Sequence, residues 1–198
     1  MANTNLPTGN EPPKGYEPLI EALGRERSDL RVDRVSATQL SSLEIRELEL
    51  IRKRAIERVR EAIGDRGFEI TFDREMNLWP EDRSPSDKLL FRAYGAEDGL
   101  LGYALVVRIW PTEREWTIQH LIIDPDKRLH GVGAAIVRAI EDDALATTHS
   151  VDAIESVPLV DEGNGFWDFM GYSAAGNRSI RLEGGRVFDH AVYRKVIR

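Results

Sequence analysis

The spacing of apolar residues in the first half of the chain predicts one strand, one long helix and two further strands. Residues 30–35 alternate apolar and charged side chains, as a half-buried strand does. Thr38 or Ser41 could cap the helix that follows, and Ser41 and Glu44 have the spacing of a capping box. Residues 89–94 and 100–109 then predict two strands joined by a turn with glycines at both ends.

The second half begins with a β-branched segment, residues 117–123, which predicts a fourth strand. Residues 133–148 follow with apolar positions on one helical face. Residues 151–157 predict a fifth strand, residues 166–170 a short helix, and residues 172–197 a closing hairpin. This order predicts an α/β fold, with a mixed, mostly antiparallel central sheet and helices on both faces.

Composition restricts the chemistry. The 198 residues suffice for one core and are few for two. The absence of cysteine excludes disulfides and thiolate catalysis, and the four histidines lack a metal-like spacing, so we expect no metal. The net charge of −7 disfavours nucleic acid as a partner. We expect a cytoplasmic protein without a membrane partner, because neither a signal-peptide pattern nor a long apolar run is visible.

The hydrophobic pattern occupies residues 30–198, which we interpret as one domain. Residues 1–29 are rich in proline, glycine and polar side chains, and we expect a flexible N-terminal extension there. Residues 65–87 are irregular, and such a segment in a compact domain is often functional.

A glycine-containing segment, Arg128-Leu129-His130-Gly131-Val132-Gly133, lies between the fourth strand and its helix. Glycines let the backbone approach a ligand closely, and the first amides of a helix lack partners at the positive end of its dipole. The segment therefore predicts an anion site suited to a pyrophosphate. The alternative is that the two glycines only close a tight turn. Ile136 replaces the third glycine of the dinucleotide fingerprint, and no Gly-Lys-Ser/Thr follows, so the two common phosphate loops are excluded.

The same stretch resembles motif A of the GNAT superfamily, the acyl-CoA N-acyltransferases. That motif has an apolar residue, any residue, Pro, two residues, Arg or Gln, two residues, Gly, one residue, and Gly or Ala. Ile123, Pro125, Arg128, Gly131 and Gly133 fill these positions. The resemblance implies the GNAT fold, in which the fourth and fifth strands splay apart. It also implies acetyl-CoA as cosubstrate, no metal, and direct attack of an amine in a ternary complex.

By this resemblance, the pantetheine arm of acetyl-CoA enters between the splayed strands and pairs with backbone groups of the fourth strand, as an added strand would. Arg128 could instead stabilise its turn, and Asn164 could instead cap a helix. The acceptor would contact Phe72, Met76 and Trp79, for which packing at the edge of the core is the alternative. The residues implied for acetyl-CoA are Leu121, Ile122, Ile123, Arg128, Leu129, His130, Gly131, Val132, Gly133, Ala134 and Asn164.

The reaction needs a base, because an alkylamine with a pKa near 10.4 arrives protonated. Relatives with a base on the fourth strand carry it where this chain has Thr117 or Gln119, and neither is basic. Glu155 and His120 are therefore the candidate bases, with Glu115 or a chain of waters as alternatives. Strand alternation predicts that His120 lies on the opposite face from Thr117 and Gln119.

A second segment, Phe166-Trp167-x-x-x-Gly171-Tyr172, resembles the family's Phe-Tyr-x-x-x-Gly-Phe stretch. The tyrosine there often protonates the departing CoA thiolate. Trp167 occupies this general-acid position, and its indole N–H donates a hydrogen bond but is not a practical acid. Water or another group would then protonate the thiolate. The alternative is that Trp167 is a core aromatic residue.

These patterns together predict an N-acetyltransferase that moves an acetyl group from acetyl-CoA to a small-molecule or peptide amine. One alternative is a catalytically weak acyl-CoA-binding sensor or scaffold module. Another is a toxin-like acetyltransferase of aminoacyl-tRNA, which the acidic net charge disfavours. The identity of the acceptor and the formation of a homodimer are left open by the sequence.

Overall fold

The computed structural model describes residues 29–63, 85–96, 99–128, 130–147, 150–158, 164–181 and 187–197. Within them the chain forms seven strands and three α-helices, in the predicted order. They are β1 Arg31–Ser36, α1 Ser42–Ile63, β2 Lys88–Gly95, β3 Gly99–Val107, β4 Glu115–Ile123, α2 Val132–Ala146, β5 Ala153–Ser156, α3 Asn164–Phe169, β6 Ser173–Arg181 and β7 Val187–Val196.

The strands form one sheet in the order β1-β2-β3-β4-β5-β7-β6. Within the described sheet, β4 and β5 pair in parallel and the other neighbours pair antiparallel. The parallel pair follows from the chain order, because α2 crosses over between β4 and β5. The predicted α/β fold with a mixed, mostly antiparallel sheet is confirmed.

The two long helices cover opposite faces of the sheet, which we call the α1 face and the α2 face. Helix α1 begins with the predicted capping box: the Ser41 amide donates to the Glu44 carboxylate at 2.8 Å, and the Glu44 amide donates to Ser41 Oγ at 3.3 Å. The α1 face buries Leu48, Ile51 and Ala55 of this helix against Leu90, Tyr103, Leu105 and Ile122. The α2 face buries Val132, Ala134, Ile136, Val137, Ile140 and Ala144 in a larger apolar cluster.

Most element bounds differ from the predicted ones by one or two residues. Strand β3 stops at Val107, short of Ile109, whose φ of 58° lies outside the extended region. Strand β5 is shorter than residues 151–157, because β4 and β5 separate after four pairs and Pro158 lacks a backbone donor. Helix α2 starts at residue 132 and ends at residue 146.

Several predictions lie outside the described residues. They include the N-terminal extension up to residue 28, the acceptor residues Phe72, Met76 and Trp79, and Leu129 of the glycine-containing segment. These stay predictions. No helix in the described part of the chain is both long and apolar enough to cross a membrane.

Candidate functional site

Strands β4 and β5 separate near the middle of β4. They pair only over residues 115–118 of β4 and 153–156 of β5, and the Val157 amide then donates to the Ile118 carbonyl at 3.4 Å. On its other side, β4 pairs with β3 from Thr117 to Ile123. Residues 120–123 are therefore paired on one side only in the described sheet. Such an open edge offers backbone donors and acceptors to an extended ligand.

A β-bulge lies where β4 leaves β5. Ile118 and His120 pair with consecutive residues of β3, so Gln119 is an extra residue in β4. The bulge shifts the alternation by one position, and Thr117 and His120 consequently lie on the same face, the α1 face, with Ile122. The predicted placement of His120 opposite Thr117 is wrong, because alternation holds only along an unbroken ladder.

The start of α2 leaves backbone amides without partners inside the helix. Gly131 is its N-cap residue, with a φ of 77°, and no side chain caps the helix. Only glycine adopts this left-handed conformation without strain. The first helical bond runs from the Ala135 amide to the Gly131 carbonyl at 2.9 Å. The amides of Val132, Gly133 and Ala134 precede that bond, at the positive end of a 15-residue helix.

Gly133 lies where α2 meets β4 and α3. A Cβ atom there would lie 3.4 Å from the Phe166 ring and 3.8 Å from Cγ1 of Ile123. The end of β4 and the start of α2, which carry most of the predicted acetyl-CoA residues, are therefore adjacent. Gly131 has a structural reason in its backbone conformation, whereas a Cβ atom on Gly133 would make only ordinary van der Waals contacts. Anion binding stays a prediction.

The turn between β4 and α2 is held by Asp124. Asp124 accepts hydrogen bonds from the Asp126 amide at 3.2 Å and from Nη2 of Arg54, on α1, at 2.7 Å. Nδ1 of His130 donates to the Arg128 carbonyl at 2.6 Å. The Arg128 guanidinium makes no ion pair within the described residues. A contact with a phosphate and stabilisation of the turn both stay predictions for this cation.

A polar cluster lies on the α1 face beyond the area that α1 covers. Glu155 of β5 is buried and pairs in register with Thr117 of β4. Its Oε2 accepts a hydrogen bond from Nη2 of Arg178, on β6, at 2.6 Å. The Arg178 guanidinium carbon lies 4.5 Å from the centre of the Trp110 ring, and Thr117 Oγ1 donates to the Trp110 carbonyl at 2.9 Å. No sequence pattern predicts a role for Arg178 or Trp110, because neither lies near a motif.

A second ion pair on the same face involves the alternative base Glu115. Its Oε1 accepts from Nη2 of Arg194 at 2.7 Å and from Nε at 3.2 Å. Arg194 lies on β7, in register with Glu155. Glu115 and Glu155 are therefore each bound to an arginine.

Trp167 lies on the other face, in the apolar cluster under α2. It is 3% exposed, and its ring meets those of Phe166 and Tyr172 edge-on, each at 5.1 Å between centroids. Burial, together with the nearby Glu141 carboxylate, raises the pKa of Tyr172 far above its ordinary value, so this phenol is a poor acid at neutral pH. Core packing accounts for the burial of Trp167, and its correspondence to the acid position stays a prediction.

Two further expectations concern Asn164 and metals. Asn164 is the first residue of α3, but its side chain is outside the described part of the structure. In the described part of the chain, no group of three or more His, Asp or Glu side chains is arranged to hold a metal ion.

Comparisons with known proteins agree with this architecture. The model of the Acetyltransferase (GNAT) family matches residues 53–164. No curated protein matches the chain.

Solved structures of low sequence identity share the fold. A protein described as a GNAT-family acetyltransferase from Desulfovibrio desulfuricans has 13% identity and a TM-score of 0.58, covering 85% of this chain and 99% of its own. The ribosomal-protein-S18-alanine N-acetyltransferase from Escherichia coli has 15% identity and a TM-score of 0.54, covering 84% and 94%. The spermidine/spermine N-acetyltransferase from Vibrio cholerae has 13% identity and a TM-score of 0.55, covering 86% and 94%.

Proposed function

The chain belongs to the GNAT acetyltransferase family, and from that premise we propose that it transfers an acetyl group from acetyl-CoA to an amine. The observation that carries the proposal is the open edge of β4 beside the uncapped start of α2. An extended pantetheine arm needs the first feature and a pyrophosphate needs the second.

In this proposal the pantetheine arm pairs with the backbone of residues 121–123, on the side of β4 that β5 leaves open. The pyrophosphate accepts hydrogen bonds from the amides of residues 131–134, and Arg128 supplies a positive charge. Leu129, His130 and Asn164 complete the predicted cofactor contacts. The supporting geometry is the contact of Gly133 with Ile123, which makes the two parts of the site continuous.

We propose Glu155 as the base that removes the proton of the acceptor amine, directly or through a water. Only Oε2 of this carboxylate is bound by Arg178. Oε1 makes no hydrogen bond within the described residues and is not among their buried, unbonded polar atoms. Glu155 is buried as a whole, so the proposal requires that a water or an amine reaches Oε1 where β4 and β5 separate. His120 is the second candidate, because the bulge brings it to the same face.

The proposed reaction is a direct attack. The amine nitrogen attacks the thioester carbonyl carbon, so that a C–N bond forms and the C–S bond breaks. The amine proton passes to Glu155, and the CoA thiolate takes a proton from water, because Trp167 cannot supply one. A covalent thioester intermediate would need a cysteine, and the chain has none.

The acceptor is an amine whose identity stays open. Two of the similar structures are named for amine acceptors, an alanine of ribosomal protein S18 and spermidine or spermine. At 13–15% identity these likenesses show the fold alone. We keep Phe72, Met76 and Trp79 as the predicted acceptor contacts.

A second candidate function is an acyl-CoA-binding sensor or scaffold with little turnover. Trp167 is the observation that favours it, because the residue at the acid position cannot protonate a thiolate. Slow release of CoA would follow if water could not take over this step.

The two functions are separated by incubating the protein with acetyl-CoA and a panel of amines: spermidine, free lysine, an aminoglycoside and a peptide with N-terminal alanine. A thiol reagent then measures free CoA. The protein itself adds no thiol to the signal, because the chain has no cysteine. We expect thiol release that depends on at least one amine, with incubation lacking amine as control. Binding of acetyl-CoA without release would support the sensor, and neither binding nor release would contradict both functions.

A further inference from the structure

The contact between Arg178 and Glu155 spans three strands of the sheet. Arg178 lies on β6 in register with His190 of β7, whereas Glu155 lies on β5, on the far side of β7. The arginine side chain therefore crosses the intervening strand to place Nη2 at 2.6 Å from Oε2 of Glu155. A long side chain loses rotamer freedom in such a conformation, so other contacts must hold it there.

Trp110 supplies such a contact. Its ring lies against the guanidinium group, with 4.5 Å between the ring centre and the guanidinium carbon, well inside the range of a cation–π interaction. The Trp110 backbone is held in turn by the hydroxyl of Thr117, which is the register partner of Glu155. Arg178 is thus fixed by a carboxylate on one side and an aromatic face on the other.

The two oxygens of the Glu155 carboxylate therefore have different surroundings. Oε2 is held by the guanidinium, and Oε1 has no partner within the described part of the chain. The pair Thr117–Glu155 is followed by one more pair, Ile118–Ser156, before the strands separate at the bulge. Oε1 is therefore available close to the point where β4 leaves β5.

We propose that Arg178 is a positioning residue: with Trp110 behind it, it holds Oε2 of Glu155 and so directs Oε1 toward the acceptor amine. This inference rests on the proposed role of Glu155 as the base. Arg178 acts through Glu155 and touches neither acetyl-CoA nor the reacting atoms. A planar guanidinium suits the task, because it can pack against a ring and donate hydrogen bonds in its own plane at once, which lysine cannot do.

The chain offers a matched control on the same face. Arg194 also binds a carboxylate, that of Glu115, at 2.7 Å. Glu115 is the first residue of β4 and lies further from the bulge than Thr117 does. Replacing either arginine by glutamine removes one positive charge from the same side of the sheet, but only Arg178→Gln releases Glu155.

The experiment measures kcat and KM on the amine of the panel that gives most thiol release. For Arg178→Gln we expect kcat to fall about 10- to 100-fold, because a misplacement of about 1 Å at a reacting group costs up to roughly that much. We expect KM for acetyl-CoA to stay within about twofold of the wild-type value, since the substitution removes no contact that binds acetyl-CoA in the ground state. Arg178→Lys should lose less, because it keeps the charge and loses the stacking. Arg194→Gln should keep kcat within about threefold of the wild type.

A double-mutant cycle tests whether Arg178 acts on turnover through Glu155. If Arg178 acts through Glu155, adding Arg178→Gln to Glu155→Gln causes no further loss of kcat. A further loss equal to that of the single variant would overturn the inference, and so would equal losses in Arg178→Gln and Arg194→Gln. A wild-type protein without amine-dependent thiol release would instead refute the proposed function, which is a distinct outcome.

Discussion

Strands β4, β5 and β7 present apolar side chains on one face of the sheet and polar side chains on the other. Toward α2 these strands present Ile118, Ile154 and Tyr193, all buried in one apolar cluster. Their sequence neighbours Thr117, Glu155 and Arg194 pair in register on the opposite face, where hydrogen bonds and ion pairs replace apolar contacts. One face is thus specialised for stability and the other is available for chemistry.

The α1 face is not polar throughout. Under α1 it buries Leu90, Tyr103 and Leu105 against the helix. Near the start of α1 it is charged, because Arg92 of β2 donates to the carboxylates of Asp33 and Glu44. Thr117, Glu155 and Arg194 lie beyond the apolar residues under α1, and we expect substitutions there to change turnover more than stability.

The largest effect is expected for Glu155→Gln, which should lower kcat by roughly 100-fold or more, the usual contribution of a general base. The glutamine amide oxygen still accepts from Arg178, so we expect the unfolding free energy to change by less than about 2 kcal/mol. Steady-state kinetics and urea denaturation measure the two quantities. A kcat within threefold of the wild type would remove Glu155 as the base and leave His120, Glu115 or a chain of waters.

The next largest effect, on stability, is expected on the opposite face. Trp167→Ala should lower the free energy of unfolding by about 3–5 kcal/mol, because it empties a buried aromatic site. Trp167→Tyr should retain most of the stability and at least the wild-type turnover, and an ionisable hydroxyl at the acid position should add a basic limb to the pH–rate profile. If folded Trp167→Tyr binds acetyl-CoA yet loses all turnover, Trp167 does not correspond to the acid position.

Two glycines near Ile123 test how tightly the end of β4 is held. A Cβ atom on Gly102 of β3 would lie 2.7 Å from the Ile122 carbonyl oxygen, a backbone atom that cannot move without shifting β4. We expect Gly102→Ala to cost about 1–3 kcal/mol of stability and to weaken acetyl-CoA binding. Gly133→Ala is the matched control, because its Cβ would meet a ring at 3.4 Å, and its stability should change by less than about 1 kcal/mol. Urea denaturation measures the stability of the two variants, and calorimetry measures their affinity for acetyl-CoA. Equal losses in Gly102→Ala and Gly133→Ala would contradict the expected difference between the two positions.

The smallest effect concerns the start of α1. Hydrogen bonds from Ser41, and then from Arg92, lower the pKa of Glu44 from 4.5 to about 2. Since the folded pKa is depressed, the contribution to stability is present above pH 4.5 and is lost as the pH falls toward 2. It is small, because a third of the Glu44 side chain is exposed. Urea denaturation should show wild type and Glu44→Gln converging as the pH falls from 5 to about 2.5, and a constant difference would contradict the assignment.

Sequence reasoning succeeded where local signals decide the structure. Element order, the capping box of Ser41 and Glu44, and the turn at Gly131 each depend on a few neighbouring residues. It failed for His120, because the bulge at Gln119 arises from pairing with β3, which no local pattern records. It also missed Arg178, whose partner Glu155 is 23 positions away and two strands across the sheet. Contacts of that range come from topology, not from periodicity.

The central claim, that the open edge of β4 and the start of α2 bind acetyl-CoA, is tested most directly by the thermal midpoint. A ligand bound only by the folded state stabilises it by mass action, by about 2.7 kcal/mol at 100 times its Kd. We predict that the midpoint of the wild type rises with acetyl-CoA concentration. Folded Gly131→Glu should show no rise, because its side chain and negative charge would lie where the pyrophosphate approaches the backbone amides. An unchanged wild-type midpoint at millimolar acetyl-CoA would contradict the account.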